Sequence, residues 1–109
     1  MSSITASEFN TILNTGAVPI FDVRKETEFL SQHIEGAKNT PLSFINNYLQ
    51  EFPEKETFYV HCAGGYRSII AASILKSRGI HNLVDVAGGF KAIKDTSISI
   101  TNHICPSTL

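Results

Sequence analysis

One segment of the sequence gathers residue types that can do covalent chemistry: Cys62-Ala63-Gly64-Gly65-Tyr66-Arg67-Ser68. It follows a β-branched and aromatic run and opens a helix-forming one. Gly64 and Gly65 permit positive φ and a tight curl. A curl between a strand end and a helix N-terminus turns several N–H groups inward, and such a nest attracts an anion. The helix dipole adds to the same field. A thiol at its centre is expected to have a lowered pKa, and the thiolate is the nucleophile. The same N–H groups can hold a bound persulfide or an incoming sulfur oxyanion. Arg67 supplies a fixed positive charge at the end of the loop. The dipole makes arginine a poor choice at a helix N-terminus, so an anion or carboxylate is expected beside it. Cys62 is thus the candidate nucleophile, and Ala63, Gly64, Gly65, Tyr66, Arg67 and Ser68 are the candidate binding residues around it.

Each of these residues also has a plainer reading. Cys62 can be a small buried hydrophobe at a strand end, Arg67 a solvent-facing helix residue, and the glycines simple turn formers. Ser68 either caps the helix N-terminus or donates to a bound sulfur. Tyr66 either shapes acceptor entry or packs on the loop.

The elements that must position this loop read as alternating helices and strands. Thr5 to Asn14 predicts a helix, with Thr5 and Glu8 as a capping box, Phe9, Ile12 and Leu13 on one face, and Gly16 as its end. Val18 to Val23 predicts a buried strand. Lys25 to Gln32 predicts a short helix with Phe29 and Leu30 inward, and Ala37 to Thr40 a small strand before Pro41. Ser43 to Glu51 predicts a helix, with Phe44, Ile45, Tyr48 and Leu49 at helical spacing. Thr57 to His61 is the clearest strand and runs into Cys62. Arg67 to Arg78 is the clearest helix, with Ile69, Ile70, Ala72, Ser73, Ile74 and Leu75 as a broad apolar face and Gly79 at its C-terminus. Leu83 to Val86 predicts a last strand, and Gly88-Gly89 turns the chain into a short final helix. From Asp95 the tail reads as polar and extended. This alternation predicts an α/β fold with a mainly parallel sheet covered by helices on both faces. Ligands of such sheets bind beyond the carboxyl ends of the strands, where Cys62 lies.

The 109 residues fit one domain, with its core at about residues 5–94 and a C-terminal extension over 95–109. Hydrophobic residues make up 42% and charged residues 17%, the balance of a soluble globular chain. A net charge of -1 argues against a broad nucleic-acid or membrane surface. No run of about eighteen apolar residues is present, and Met1 to Glu8 has neither the basic nor the apolar part of a secretory signal. Cys62 and Cys105 are too few and too far apart for a disulfide framework. Nothing has metal-ligand spacing, so no metal is expected. A reducing cytoplasmic setting is the expected compartment. Cys105 reads either as a resolving thiol for Cys62 or as an incidental tail thiol.

Four segments in order resemble the rhodanese homology domain, over Thr5 to about Lys94. Phe21-Asp22-Val23-Arg24 is similar to that family's first strand, and Phe29 through His33-Ile34, Gly36-Ala37, Asn39 and Pro41 to the segment after it. Tyr59-Val60-His61-Cys62 through Ser68 is similar to the catalytic strand and loop, and Val84 through Gly88-Gly89-Phe90 to the closing strand and turn. Two positions depart: Glu35 stands where a proline is common, and Ile93 where a tryptophan is. The resemblance implies a three-layer fold around a parallel sheet of about five strands. It implies a cofactor-free sulfurtransferase in which Cys62 takes a sulfane sulfur from thiosulfate or a glutathione-type persulfide. The Cys62 persulfide then passes the sulfur to a thiol or to cyanide. Asp22, Arg24 and His33 read as structural supports beneath the loop.

Two other functions compete. Phosphatases and arsenate reductases on the same fold place five residues between cysteine and arginine, whereas four separate Cys62 from Arg67; the smaller ring suits one sulfur atom. A non-catalytic interaction module is the other alternative, although such modules often lack the cysteine. Arg67 is the only cation within the loop, so a persulfide donor is expected over the thiosulfate dianion. The loop and the Cys105-Pro106 ending also resemble rhodanese domains fused to metallo-β-lactamase-fold persulfide dioxygenases. That likeness implies an enzyme of this type as partner or fusion, with this chain its detached or standalone counterpart and itself unable to oxidise persulfides.

Overall fold

A computed structural model of the chain describes residues 2–102. The readings placed on Cys105 lie outside the described residues. The central sheet has five parallel strands: β1 (Ser3–Ile4), β2 (Ile20–Asp22), β4 (Lys38–Asn39), β5 (Phe58–His61) and β6 (Leu83–Val86). They lie in the order β1-β6-β5-β2-β4, which puts β5 at the centre. A second, two-stranded sheet pairs β3 (His33–Ile34) with β7 (Ile100–Thr101), antiparallel.

The strands are short and buried on both faces, so alternate residues feed two cores. Ile20, Tyr59 and Val86 join one cluster with Ala6, Phe9, Phe29, Phe90 and Ile93. Phe21, Val23, Phe58, Val60 and Leu83 join the other with Ile45, Phe52, Ala71, Ala72 and Leu75. Helices α1 (Ala6–Thr15), α2 (Glu26–Ser31) and α4 (Gly89–Ile93) supply the first cluster. Helix α3 (Tyr66–Ser77) and a 3-10 helix (Leu42–Glu51) supply the second. The three-layer α/β arrangement read from the sequence is the one found.

Local signals explain most of the element ends. The Thr5 side chain accepts from the Glu8 N–H at 3.1 Å while the Glu8 carboxylate accepts from the Thr5 N–H, the reciprocal pair that starts α1. Beyond α3, the left-handed φ of 86° at Gly79 lets the chain turn away.

Several outward and inward assignments change. Phe44 is 58% exposed rather than inward. The residues that pack from this segment are Leu42, Ile45 and Tyr48, with Leu49. The chain bends at Phe44, whose φ of -120° and ψ of 17° are not helical, and the bend turns its ring outward. Leu30, Ile69 and Ile70 are also exposed. On α3 the buried positions are Ser68, Ala71, Ala72 and Leu75, and the small side chains of the first three let the helix lie close to the sheet.

The tail does not stop contributing at Asp95. Ile98 is buried in the first core cluster, and β7 then pairs with β3. The Glu35 N–H donates to the Ser99 carbonyl at 3.0 Å and prolongs that pairing. A proline at position 35 has no N–H to give, so the departure from the family pattern at Glu35 matches a bond made here.

Candidate active site

Cys62 is the first residue after central strand β5, at its carboxyl end, and is 1% exposed. The chain then curls through Ala63 and Gly64 to Gly65, whose φ of 105° is left-handed, and enters α3 at Tyr66. This geometry brings the Gly65 N–H to 3.1 Å from Cys62 Sγ. The Cys62 thiol lies 3.5 Å from Ser68 Oγ, and that hydroxyl donates to the Gly65 carbonyl at 3.3 Å. Ser68 is therefore no helix cap: Gly65 holds the cap position, without a side-chain bond. Its hydroxyl closes the loop and faces the sulfur.

What the sequence did not reveal is how the loop's carbonyls are kept away from that sulfur. The Phe90 N–H donates to the Cys62 carbonyl at 2.6 Å, and the Lys91 N–H donates to the Ala63 carbonyl at 3.0 Å. The fully buried His61 ring adds Nδ1 at 3.2 Å from the Cys62 carbonyl. With these carbonyls turned back onto α4, the Gly65 N–H is left to face Sγ, as an anionic sulfur needs. The approach depends on Gly89, where an added Cβ would stand 2.5 Å from the Cys62 carbonyl oxygen and 2.8 Å from Ala63. The Gly88-Gly89 pair was visible in the sequence as a turn. Its role as the wall on which the loop rests was not.

A buried ion pair supports the wall. Asp22 and Arg24 are two apart on an extended chain, so their side chains share one face. Arg24 Nε is 3.0 Å from each Asp22 oxygen, and Nη2 lies 2.8 Å from Oδ2. The Arg24 guanidinium also donates to the Gln32 carbonyl and covers the Phe90 ring at 4.1 Å. The residue whose N–H holds the Cys62 carbonyl is thereby itself held. His61 stays neutral: burial pushes its pKa down, against the opposing pull of Asp22. His33 stands further off, stacked on Phe29 at 3.9 Å with Nδ1 at 2.7 Å from the Phe29 carbonyl.

Arg67 occurs in the first turn of α3, and the carboxylate its position called for belongs to Glu28 on α2. Nη1 and Nη2 donate to the two Glu28 oxygens at 2.7 and 3.1 Å. The Arg67 fork holds the Glu28 carboxyl at a pKa of about 2. The expected fixed positive charge at the loop is therefore present but already paired. Tyr66, by contrast, is 83% exposed and does not pack on the loop. Beside Ala63 a surface depression of about 400 Å³ is lined by Phe90, Lys91, Lys94 and Asp95.

Below the loop, Asp85 on β6 pairs in register with Val60 and is 3% exposed, with Oδ1 lacking a hydrogen-bond partner. Burial pushes its carboxyl pKa up, opposed by the Ser68 hydroxyl. The folded chain takes up this proton more readily than the unfolded one. The group therefore costs stability as pH rises through 3.8, its ordinary value, and beyond. Asp85→Asn is expected to raise the thermal midpoint at neutral pH by a few degrees. The gain should vanish below pH 3.8, where Asp85 is uncharged in both states. Melting curves at the two pH values check this; an equal gain at both would mean that charge is not the cause.

The chain is 33% identical over 91 residues to the uncharacterized protein YqhL of Bacillus subtilis, covering 84% of this chain and 71% of that one. It is 32% identical over 117 residues to thiosulfate sulfurtransferase 18 of Arabidopsis thaliana, covering 93% and 84%. It spans 24% of the longer adenylyltransferase/sulfurtransferase MoeZ of Mycobacterium tuberculosis, a probable enzyme by its name. The crystal structure of a rhodanese-like domain protein from Staphylococcus aureus superposes with a TM-score of 0.81 at 37% identity, covering 93% of this chain and 99% of that one. The rhodanese-like domain model matches residues 5–96, which take in every element from α1 to α4, and the chain belongs to that family.

Proposed function

We propose that this chain is a sulfurtransferase that carries a sulfane sulfur as a Cys62 persulfide. The observation that carries this reading is the nest around Sγ: the Gly65 N–H at 3.1 Å, with the Cys62 and Ala63 carbonyls tied back by α4. Such a nest favours an anionic sulfur, either the attacking thiolate or the persulfide it becomes. The sulfurtransferase names of relatives at about a third identity support it.

In the first step the Cys62 thiolate attacks the outer sulfur of the donor. A bond forms between Sγ and that sulfur. The bond to the rest of the donor breaks, and its electron pair leaves with sulfite or with the glutathione thiolate. In the second step an acceptor thiolate, or cyanide, attacks the outer sulfur of the Cys62 persulfide, and the pair in the breaking bond returns to Sγ. The charge balances in both steps, and no metal or cofactor is called on. Glutathione persulfide is the preferred donor: the loop's cation is already paired, and Lys91 and Lys94 beside Ala63 offer positive charge to a carboxylate further along the molecule. A persulfide dioxygenase-type enzyme, as partner or fused half, would draw on the same pool of persulfide.

The test is peptide mass spectrometry of the reduced protein after incubation with glutathione persulfide or, separately, thiosulfate. The expected result is one added sulfur on the peptide carrying Cys62, removed by glutathione or cyanide. No added sulfur from either donor would leave the interaction-module reading instead. Hydrolysis of an aryl phosphate that depends on Cys62 would replace the proposal with phosphatase chemistry.

A further inference from the structure

Glu28 has no part in the chemistry just described, yet it reaches the one cation in the catalytic loop. Each Arg67 Nη nitrogen donates to a different Glu28 oxygen, at 2.7 and 3.1 Å, so the charges meet as a two-pronged pair. The carboxylate is set independently of Arg67, because its Oε1 also accepts the Lys25 N–H at 3.1 Å at the start of α2. The side chains of Arg67 and Glu28 are 32% and 34% exposed, so the pair is open to solvent and to ions in it. Of the other cations near the loop, Arg24 is taken up by Asp22, and Lys91 and Lys94 line a depression with Ala63 to which Arg67 does not contribute. Without Glu28 the Arg67 charge at the end of the loop would have no ion-pair partner among the described residues.

We infer that Glu28 is the residue that sets donor specificity, by cancelling the Arg67 charge and so disfavouring the thiosulfate dianion relative to a singly charged persulfide group. This rests on the sulfur-transfer reading above. The physical cause is local: thiosulfate carries both of its charges close to the reacting sulfur, whereas a persulfide group carries one there and the other charges of its molecule lie further off, so a free guanidinium beside the nest favours thiosulfate more. Glu28 acts through Arg67 and touches no reacting atom, so it is a specificity-determining residue and not a catalytic one.

Glu28→Gln separates charge from structure. The amide oxygen still accepts from Lys25 or Arg67, and the negative charge is gone. The expected result is that kcat/KM for thiosulfate, divided by that for glutathione persulfide, rises about tenfold at low ionic strength. The rise should shrink in high salt, as screening requires. A second readout needs no sulfur transfer. Cys62 is alkylated with anionic iodoacetate and with neutral iodoacetamide, and the ratio of the two rates is taken; any change in the sulfur's own reactivity cancels. The ratio should rise several-fold in Glu28→Gln and fall in Arg67→Gln, where Glu28 is left unpaired.

An unchanged alkylation ratio in Glu28→Gln overturns the inference, because charge at the sulfur is then not under Glu28 control. A raised ratio with unchanged donor preference also overturns it, since the field would not govern specificity. If no variant accepts sulfur from any donor, the sulfur-transfer reading itself fails and takes the specificity role with it. The alkylation ratio would still tell that failure apart from the first.

Discussion

A Cys62→Ser variant is expected to fold, to take up no sulfur and to turn over at the uncatalysed background. Serine is close in shape to cysteine, and its hydroxyl at this position can accept from the Gly65 N–H and share a bond with Ser68 Oγ, the groups that surround Sγ in the native loop. A buried polar group with partners costs little, here about 1 kcal/mol or less in stability. The chemistry has no such tolerance. At neutral pH a serine hydroxyl supplies essentially no anion to attack sulfur, and the nest has nothing to stabilise. Turnover and thermal melts measured together check this. Loss of activity with an unchanged melt is the expected pair, and wild-type turnover would show that the sulfur passes through another group.

Gly89→Ala is expected to have the next largest effect, and by an indirect route. Gly89 has a left-handed φ of 60°, which costs a non-glycine residue about 1–2 kcal/mol. In addition, a Cβ would stand 2.5 Å from the Cys62 carbonyl oxygen and 2.8 Å from both the carbonyl carbon and oxygen of Ala63. These are backbone atoms, so no side chain can swing clear. The loop must move off α4, and the Phe90 and Lys91 amides lose their grip on its carbonyls. A shift of about 1 Å in a positioned nucleophile can cost on the order of a hundredfold in rate. The expected outcome is a drop in turnover of that size, with stability lower by about 2–4 kcal/mol. Gly79→Ala is the matched control. Gly79 also has a left-handed φ, at 86°, but an added Cβ meets nothing within 4 Å. It should lower the melt by the conformational cost alone and leave turnover unchanged. Equal losses of turnover in both variants would show that backbone strain, and not contact with the loop, is responsible.

These two variants also show what could be read from the chain and what could not. Cys62 and its loop were legible because their signals are local: a β-branched strand, a glycine pair and a helix with a terminal glycine follow one another without a gap. The capping box at Thr5 and Glu8 was legible for the same reason. Strands β1, β3 and β7 were not, since two residues carry no period; His33–Ile34 and Ile100–Thr101 become strands only because they meet each other. Arg67 pointed to a nearby carboxylate, but Glu28 lies thirty-nine positions away in sequence and only the fold selects it. The outward turn of Phe44 was not legible, because it comes from a break in the helical backbone at that residue that the apolar spacing does not record. The amides of Phe90 and Lys91 were the hardest to foresee, because backbone donors carry no side-chain signature at all.

The wall of glycines has a consequence for how such a protein can diversify. Gly65 rests near the Gly88 backbone, at 3.4 Å from an imagined Cβ, and Gly89 rests on Cys62 and Ala63. On that side the ring from Cys62 to Arg67 has no room to lengthen. Gly64 is the contrast: a side chain there would meet nothing within 4 Å, and its backbone lies outside the left-handed region. Variation at positions 64 and 66 can therefore alter what the loop presents to a visitor while the ring itself is left intact. Selection, natural or in the laboratory, has separate handles here for changing the loop's outer face and for keeping the setting of Cys62.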